Sequence, residues 1–209
     1  MHFNWEKGDA ILLANSSQQI PYLSIADGPN TQFISALTGS DNTGDYISGE
    51  GEVYAYYPYN AGEKIDMVTK TVRINQDEPF LYAIETIQGD TLNLQFHHVF
   101  AYLKFNITVN EGKIPRVLNF YIEPNYPPIK LFSTNFNFAT LQVEYTDYWD
   151  ELSLAPDQFM DSSRLYPILP VKNGEKIGFY YDFDNLTRGG GYESQIAIPE
   201  GGLKAGHVY

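Results

Sequence analysis

Residues 91–109 read TLNLQFHHVFAYLKFNITV, and their apolar periodicity decides the fold class. Leu92, Leu94 and Phe96 recur at every second position, as on one face of a β-strand. Leu103, Phe105, Ile107 and Val109 do the same, but the first set is even-numbered and the second odd-numbered. Because side chains alternate with a period of two, one unbroken strand cannot deliver both sets to one core. The phase must shift between Phe96 and Leu103. A tight corner or a β-bulge at His97, His98, Val99 and Phe100 is therefore expected.

Outward from this stretch the same short period continues. Towards the N-terminus, strands are expected at 9–14 (DAILLA), 19–26 (QIPYLSIA), 31–37, 52–57 (EVYAYY), 70–74 and 79–84. Pro21 points to an edge position for the second, and Pro58 stops the fourth. Towards the C-terminus, strands are expected at 116–122, 129–132, 140–145, 163–169, 176–183 and 192–198, with a helical turn over 148–154. The polar, Gly-rich stretch 38–51 reads as a loop, and Asn173-Gly174 and Arg188-Gly189-Gly190-Gly191 read as turns. No segment sustains a helical period and no repeat is visible. Many short strands separated by turn signals predict an all-β sandwich architecture. A soft boundary near 85–89 divides the chain into residues 1–87 and 88–209.

Composition agrees. Of 209 residues, 43% are hydrophobic and 15% aromatic, with 17 Tyr and 13 Phe. Such residues suit a pleated, half-buried surface. The formal net charge of −13 opposes binding to nucleic-acid phosphates and to anionic lipid headgroups. There is no cysteine, which excludes disulfides and thiolate chemistry. No stretch has the length of a membrane-spanning helix. The start at Met1 has no basic, apolar leader, so the expectation is a cytosolic protein or one whose export segment has been removed.

Several groups bear on chemistry. His97 and His98 are adjacent, so in a strand they point to opposite faces and are poorly placed to share a metal. One is expected in the core or at a corner and the other in solvent. The carboxylates Asp147, Asp150 and Glu151 surround Trp149, Asp182 pairs with Asp184, and Asp41 and Asp45 lie in the Gly-rich loop. None has the spacing of a calcium loop, so solvated loops are the expectation. Nucleophile-elbow, metalloprotease and phosphate-loop patterns are missing, and no catalytic residue, metal site or cofactor is assigned. Asn106-Ile107-Thr108 and Asn185-Leu186-Thr187 match the short glycosylation pattern. Tyr54, Tyr56, Tyr57 and Tyr59 crowd one strand and its end. Alternation puts some of them on the solvent face, although ordinary sandwich packing accounts for such a run. Tyr148 and Trp149 could form a sugar-stacking platform.

Four motifs, in order and spanning nearly the whole chain, resemble the fimbrillin family. Trp5, Gly8, Asp9 and Ile11 are similar to its W-x-x-G-D-x-I opening. Tyr54, Ala55, Tyr57 and Pro58 lie in a stretch similar to its Y-x-A-Y-Y-P strand. Leu94, Phe96, His98, Ala101, Leu103 and Phe105 resemble its L-x-F-x-H-x-x-A-x-L-x-F signature, with His98 at the motif's histidine. Leu203, Ala205, Gly206 and Tyr209 resemble its closing L-x-A-G-x-x-Y.

The resemblance implies two tandem transthyretin-like β-sandwich domains of Greek-key type. It implies a non-catalytic pilus subunit, anchor or tip component of fimbriae on the surface of Bacteroidales-type bacteria. Such proteins are outer-membrane lipoproteins, held to the membrane only through a lipid anchor, and they join other fimbrial subunits by β-strand donation. A host or bacterial surface glycan or protein is a further implied partner. The family's export signal and lipid-attachment cysteine precede the Trp motif, and its last strand follows the closing motif; neither feature is in this sequence. The alternative expectation, from a different class, is an outer-surface glycan-binding module.

Overall fold

The computed structural model describes residues 3–37, 45–88, 91–107, 115–125, 127–182 and 192–209. Apart from one helix of four residues, its regular elements are β-strands in antiparallel sheets. Two compact units emerge, Met1–Val99 with Ser133–Tyr145, and Phe100–Phe132 with Thr146–Tyr209. The division by compactness follows Val99, and residues 133–145 return to the first unit.

The first unit is built on six strands, β1 (Ala10–Ala14), β2 (Gln19–Ser24), β3 (Phe33–Ser35), β4 (Glu52–Tyr57), β6 (Leu81–Thr86) and β7 (His97–His98). They lie in the order β3-β2-β1-β4-β6-β7. A smaller sheet has the order β12-β11-β5, formed by β5 (Thr71–Arg73), β11 (Asn135–Asn137) and β12 (Gln142–Glu144). Pro21 does not put β2 at the edge, because β3 pairs with it on the outer side. The Ala36 N–H donates to the Pro21 carbonyl at 2.8 Å. Proline has no N–H to return, which accounts for the ladder stopping there.

Strand β4 is buried on both faces. Val53 and Ala55 join Ile11, Leu13, Leu81 and Ala83 in one core cluster. Tyr54 and Tyr56, on the opposite face, are only 7% and 1% exposed. Tyr54 packs edge-on against Phe138, Tyr56 stacks on Phe80, and Phe80 touches Phe136 of the smaller sheet. The expectation of solvent-facing tyrosines is therefore corrected for these two. The small sheet supplies a second layer, while 91–96 and the N-terminal segment cover the first face.

The second unit has a four-stranded sheet of order β14-β9-β16-β17, from β9 (Val117–Glu123), β14 (Glu151–Leu154), β16 (Lys176–Asp182) and β17 (Tyr192–Ala197). Two ladders complete it. One joins β8 (Ala101–Leu103) to β15 (Tyr166–Ile168), the other β10 (Lys130–Phe132) to β13 (Asp147–Trp149). Leu118, Phe120 and Ile122 alternate inward from β9 and meet Ala101, Leu103, Phe105, Tyr166 and Ile168 in one core. Helix α1 (Pro156–Phe159) adds the buried Phe159. Gly178 faces Tyr121 across the β9–β16 ladder, and a Cβ there would clash with the Tyr121 ring, so the glycine makes room for it.

The break expected at His97–Phe100 is present: β7 ends at His98, the chain bends at Val99, and β8 begins at Ala101. Leu92, Leu94 and Phe96 pack against the first unit's core, while Ala101, Leu103 and Phe105 belong to the second. The Val99 N–H donates to Phe80, within the first unit, and the Phe100 carbonyl accepts from Gly206, within the second. The handover occurs between consecutive residues. Residues 92–96 alternate in exposure like a strand but belong to none, a second correction. The expected helical turn at 148–154 is instead β13 and β14, and the helix follows at once. Asn135–Asn137, without a predicted element, forms the middle strand of the small sheet.

Candidate functional site

The opening motif makes a turn that places Trp5. Trp5 and Gly28 exchange backbone hydrogen bonds at 2.8 and 2.9 Å. The Gly8 N–H donates to the carbonyl and the hydroxyl of Ser24, both at 3.0 Å. At φ +97° this position favours glycine, because a Cβ would strain the left-handed backbone. Asp9 accepts from the Glu6 N–H at 2.8 Å through Oδ2 and from the Tyr57 hydroxyl at 3.3 Å through Oδ1. The first two motifs are thus joined by one side-chain contact. Burial, with Asp9 alongside, pushes the Tyr57 hydroxyl up to about 12. Tyr57 precedes a cis Pro58, and the next residue, Tyr59, donates back to Ala10 at 2.9 Å.

Trp5 is the hub of an aromatic cluster. Its ring lies edge-on to Phe3 at 4.8 Å, Phe33 at 5.0 Å, Phe96 at 5.1 Å and Tyr57 at 5.3 Å. Such edge-to-face pairs suit the charge distribution of aromatic rings. Beside the cluster opens a cavity of about 550 Å³. Phe3, Trp5, Phe33 and Phe96 supply its aromatic lining, with Leu81 and Leu94. Asn30, Thr31, Gln95 and His98 bring polar groups. His97, by contrast, is exposed and tilts over Tyr82 at 5.6 Å. The two histidines diverge as strand alternation requires. Glu6, Lys7 and Asp27 line a separate depression that shares Trp5 and Pro29.

In the second unit, Ala101, Leu103 and Phe105 are buried core residues. Gly206 donates to Phe100 at 2.8 Å, and Tyr209 donates to Tyr102 at 2.9 Å and accepts from Lys104 at 2.8 Å. Residues 206–209 thereby run beside β8, with a parallel bridge between Tyr102 and Val208. Burial pushes the Tyr102 hydroxyl up to about 12. The third and fourth motifs meet here, so the signature residues gather into two clusters, one in each unit.

The carboxylate candidates do not converge. Among the described residues no three His, Asp or Glu side chains are placed to share a metal ion. Asp147 accepts from the Tyr148 N–H at 2.8 Å, a local turn contact. Trp149 is 58% exposed, Tyr148 is 47% exposed, and they lie on opposite sides of β13. Trp149 meets Phe132 edge-on at 4.9 Å and stands across the ladder from Lys130. Thus Tyr148 and Trp149 do not form a joint platform. Asp41, Asp184, Arg188-Gly189-Gly190-Gly191, Asn185-Leu186-Thr187, Thr108, Val109 and the Asp182 side chain lie outside the described residues. Phe3 carried no assignment from the sequence, and Phe33 only that of the strand expected at 31–37. Alternation in 31–37 marks Phe33 as inward-facing, but nothing local links it to Trp5.

No family model and no curated protein matches the sequence. Solved structures do match its fold. A candidate cell adhesion protein from Bacteroides ovatus, 20% identical, matches with a TM-score of 0.53 over 98% of this chain and 81% of its own. One from Bacteroides fragilis, 13% identical, matches with a TM-score of 0.53 over 99% and 80%. The fold as a whole, over 98% of the chain, is similar to that of a candidate cell adhesion protein from Bacteroides uniformis, at 16% identity and a TM-score of 0.59, covering 86% of that protein.

Proposed function

We propose that this chain is a non-catalytic structural or adhesive component of bacterial cell-surface fimbriae, a fimbrillin that joins its neighbours by β-strand donation. The observation that carries the reading is the whole-chain fold likeness to candidate cell adhesion proteins of Bacteroides. The ordered motifs support the narrower family reading. Export as an outer-membrane lipoprotein belongs to the same proposal.

Strand donation is supported by an edge in the second unit. Beside β8 the ladder reaches Lys104, and residues 105–107 have no strand partner among the described residues. Phe105 and Ile107 pack against the core there. A strand supplied by another subunit would gain backbone hydrogen bonds along this edge and set alternate side chains against the core. Asn106 is exposed and the chain has no cysteine, so Asn106→Cys creates a unique thiol. Labelled with a photo-crosslinker, it should capture a neighbouring subunit in fimbriae extracted from producing cells, with the adduct mapping to a terminal strand. Capture of no subunit, or confinement of the chain to the cytoplasm, overturns the reading.

A second reading, an outer-surface glycan-binding module, is favoured by the exposure of Trp149 on its Phe132 support. Glycan-array binding lost in Trp149→Ala would support it.

A further inference from the structure

We infer that the cavity beside Trp5 is a binding site for a neutral saccharide of one to three units. It belongs to the first unit, whereas the β8 edge and Trp149 belong to the second, and so it goes beyond the assembly reading without depending on it.

Three observations carry the inference. The first is shape and size: about 550 Å³ lies within the range of small-ligand sites, roughly 300–1,000 Å³. The second is the pairing of surfaces. Phe3, Phe33 and Phe96, each partly exposed, offer ring surface for the C–H faces of a sugar, with the buried Trp5 ring behind them. Asn30 and Gln95 bring amides that both donate and accept, as vicinal hydroxyls require. Both residues are exposed. The third is charge. On a chain of net charge −13, no Asp, Glu, Lys or Arg lines the cavity. The one ionisable group in the lining is His98, so an anionic ligand meets no Lys or Arg there and a cation meets no carboxylate. A purely aliphatic ligand would make no use of these amides.

The aromatic side of the site is held in place. Trp5 is 6% exposed and fixed by its backbone bonds to Gly28, while Phe33 and Phe96 lean on its ring. Little ordering entropy is then lost at this side on binding.

The test uses the whole chain carrying Trp149→Phe, which leaves Trp5 as the only tryptophan. Its fluorescence is followed against lactose, cellobiose, maltose and diacetylchitobiose, with sialyllactose as the charged comparison. The expected result is a saturable change with at least one neutral sugar, no tighter binding of sialyllactose, and insensitivity to salt. Asn30→Ala and Gln95→Ala, both at exposed positions, should each weaken binding about five- to tenfold, as loss of one hydrogen bond does. Their melting curves should match the parent. A flat Trp5 response to all four neutral sugars overturns the proposal. So does undiminished binding in the Asn30→Ala/Gln95→Ala double variant, or preference for the charged sugar. None of these outcomes bears on subunit capture at position 106, so the two readings fail separately.

Discussion

Tyrosine hydroxyls show at the residue scale how burial shapes this protein's chemistry. Burial raises Tyr54, Tyr57 and Tyr102 from 10.0 to about 12, and it raises Tyr56 as well. In Tyr54 the neighbouring Glu52, which accepts its hydroxyl at 2.6 Å, adds to the effect. The folded state therefore holds these protons more tightly than the unfolded chain does. Their contribution to stability is complete below pH 10 and is lost as the pH rises through 12. A titration followed by tyrosinate absorbance and circular dichroism should show the last tyrosines ionising together with loss of β-structure. If all of them titrate near pH 10 with the fold intact, the burial assigned to these hydroxyls is wrong. The sequence marks these tyrosines as strand residues. It does not say which become dry, because that depends on what covers the second face of β4.

Among elements, β4 is the most constrained. Ala55 lies directly across the ladder from Ala83, and both have zero exposure. Small residues at this pair leave room within a cluster that also holds Trp5. Ala55→Leu should overpack it and cost about 1–3 kcal/mol. Val68, 93% exposed in a turn, is the control, and Val68→Ala should stay within about 0.5 kcal/mol. Urea unfolding of both variants checks the pair, and equal midpoints would refute the packing account. At this scale the sequence is most legible where apolar residues alternate or run together between turn residues. It misleads at 148–154, where Tyr148 and Trp149 occupy adjacent strand positions and no strict period separates strand from turn. It is silent at Asn135–Asn137, whose one apolar residue, Phe136, is too little pattern to reveal a strand.

For the whole molecule, the decisive feature is the return of 133–145 to the first unit. Phe136 is 1% exposed and touches Phe80, Tyr82 and Phe138. Phe136→Ala should destabilise the first unit by about 3–5 kcal/mol. Hydrogen exchange should then quicken in 71–73, 81–86 and 135–144 while 117–123 and 176–182 keep their protection. Loss of protection in the second unit's sheet alone would contradict the assignment of 133–145. The same topology predicts that residues 1–99 in isolation expose Tyr54, Tyr56 and Tyr82 and fail to fold as a soluble unit.

The candidate site was legible only in pieces. Trp5, Gly8 and Asp9 stand out as a motif, and Phe96 and His98 as part of another. Their convergence with Phe33 and Asn30 was not legible, because the separations exceed any local period. Local sterics and side-chain alternation are encoded in neighbouring residues, so the order of residues alone determined an all-β chain, the positions of most strands, and the break between Phe96 and Leu103. Which core each apolar face enters is a matter of long-range packing. Only the tertiary structure decided that the phase shift is a passage between two cores, that β4 is covered on both faces, and that distant aromatic residues surround one cavity.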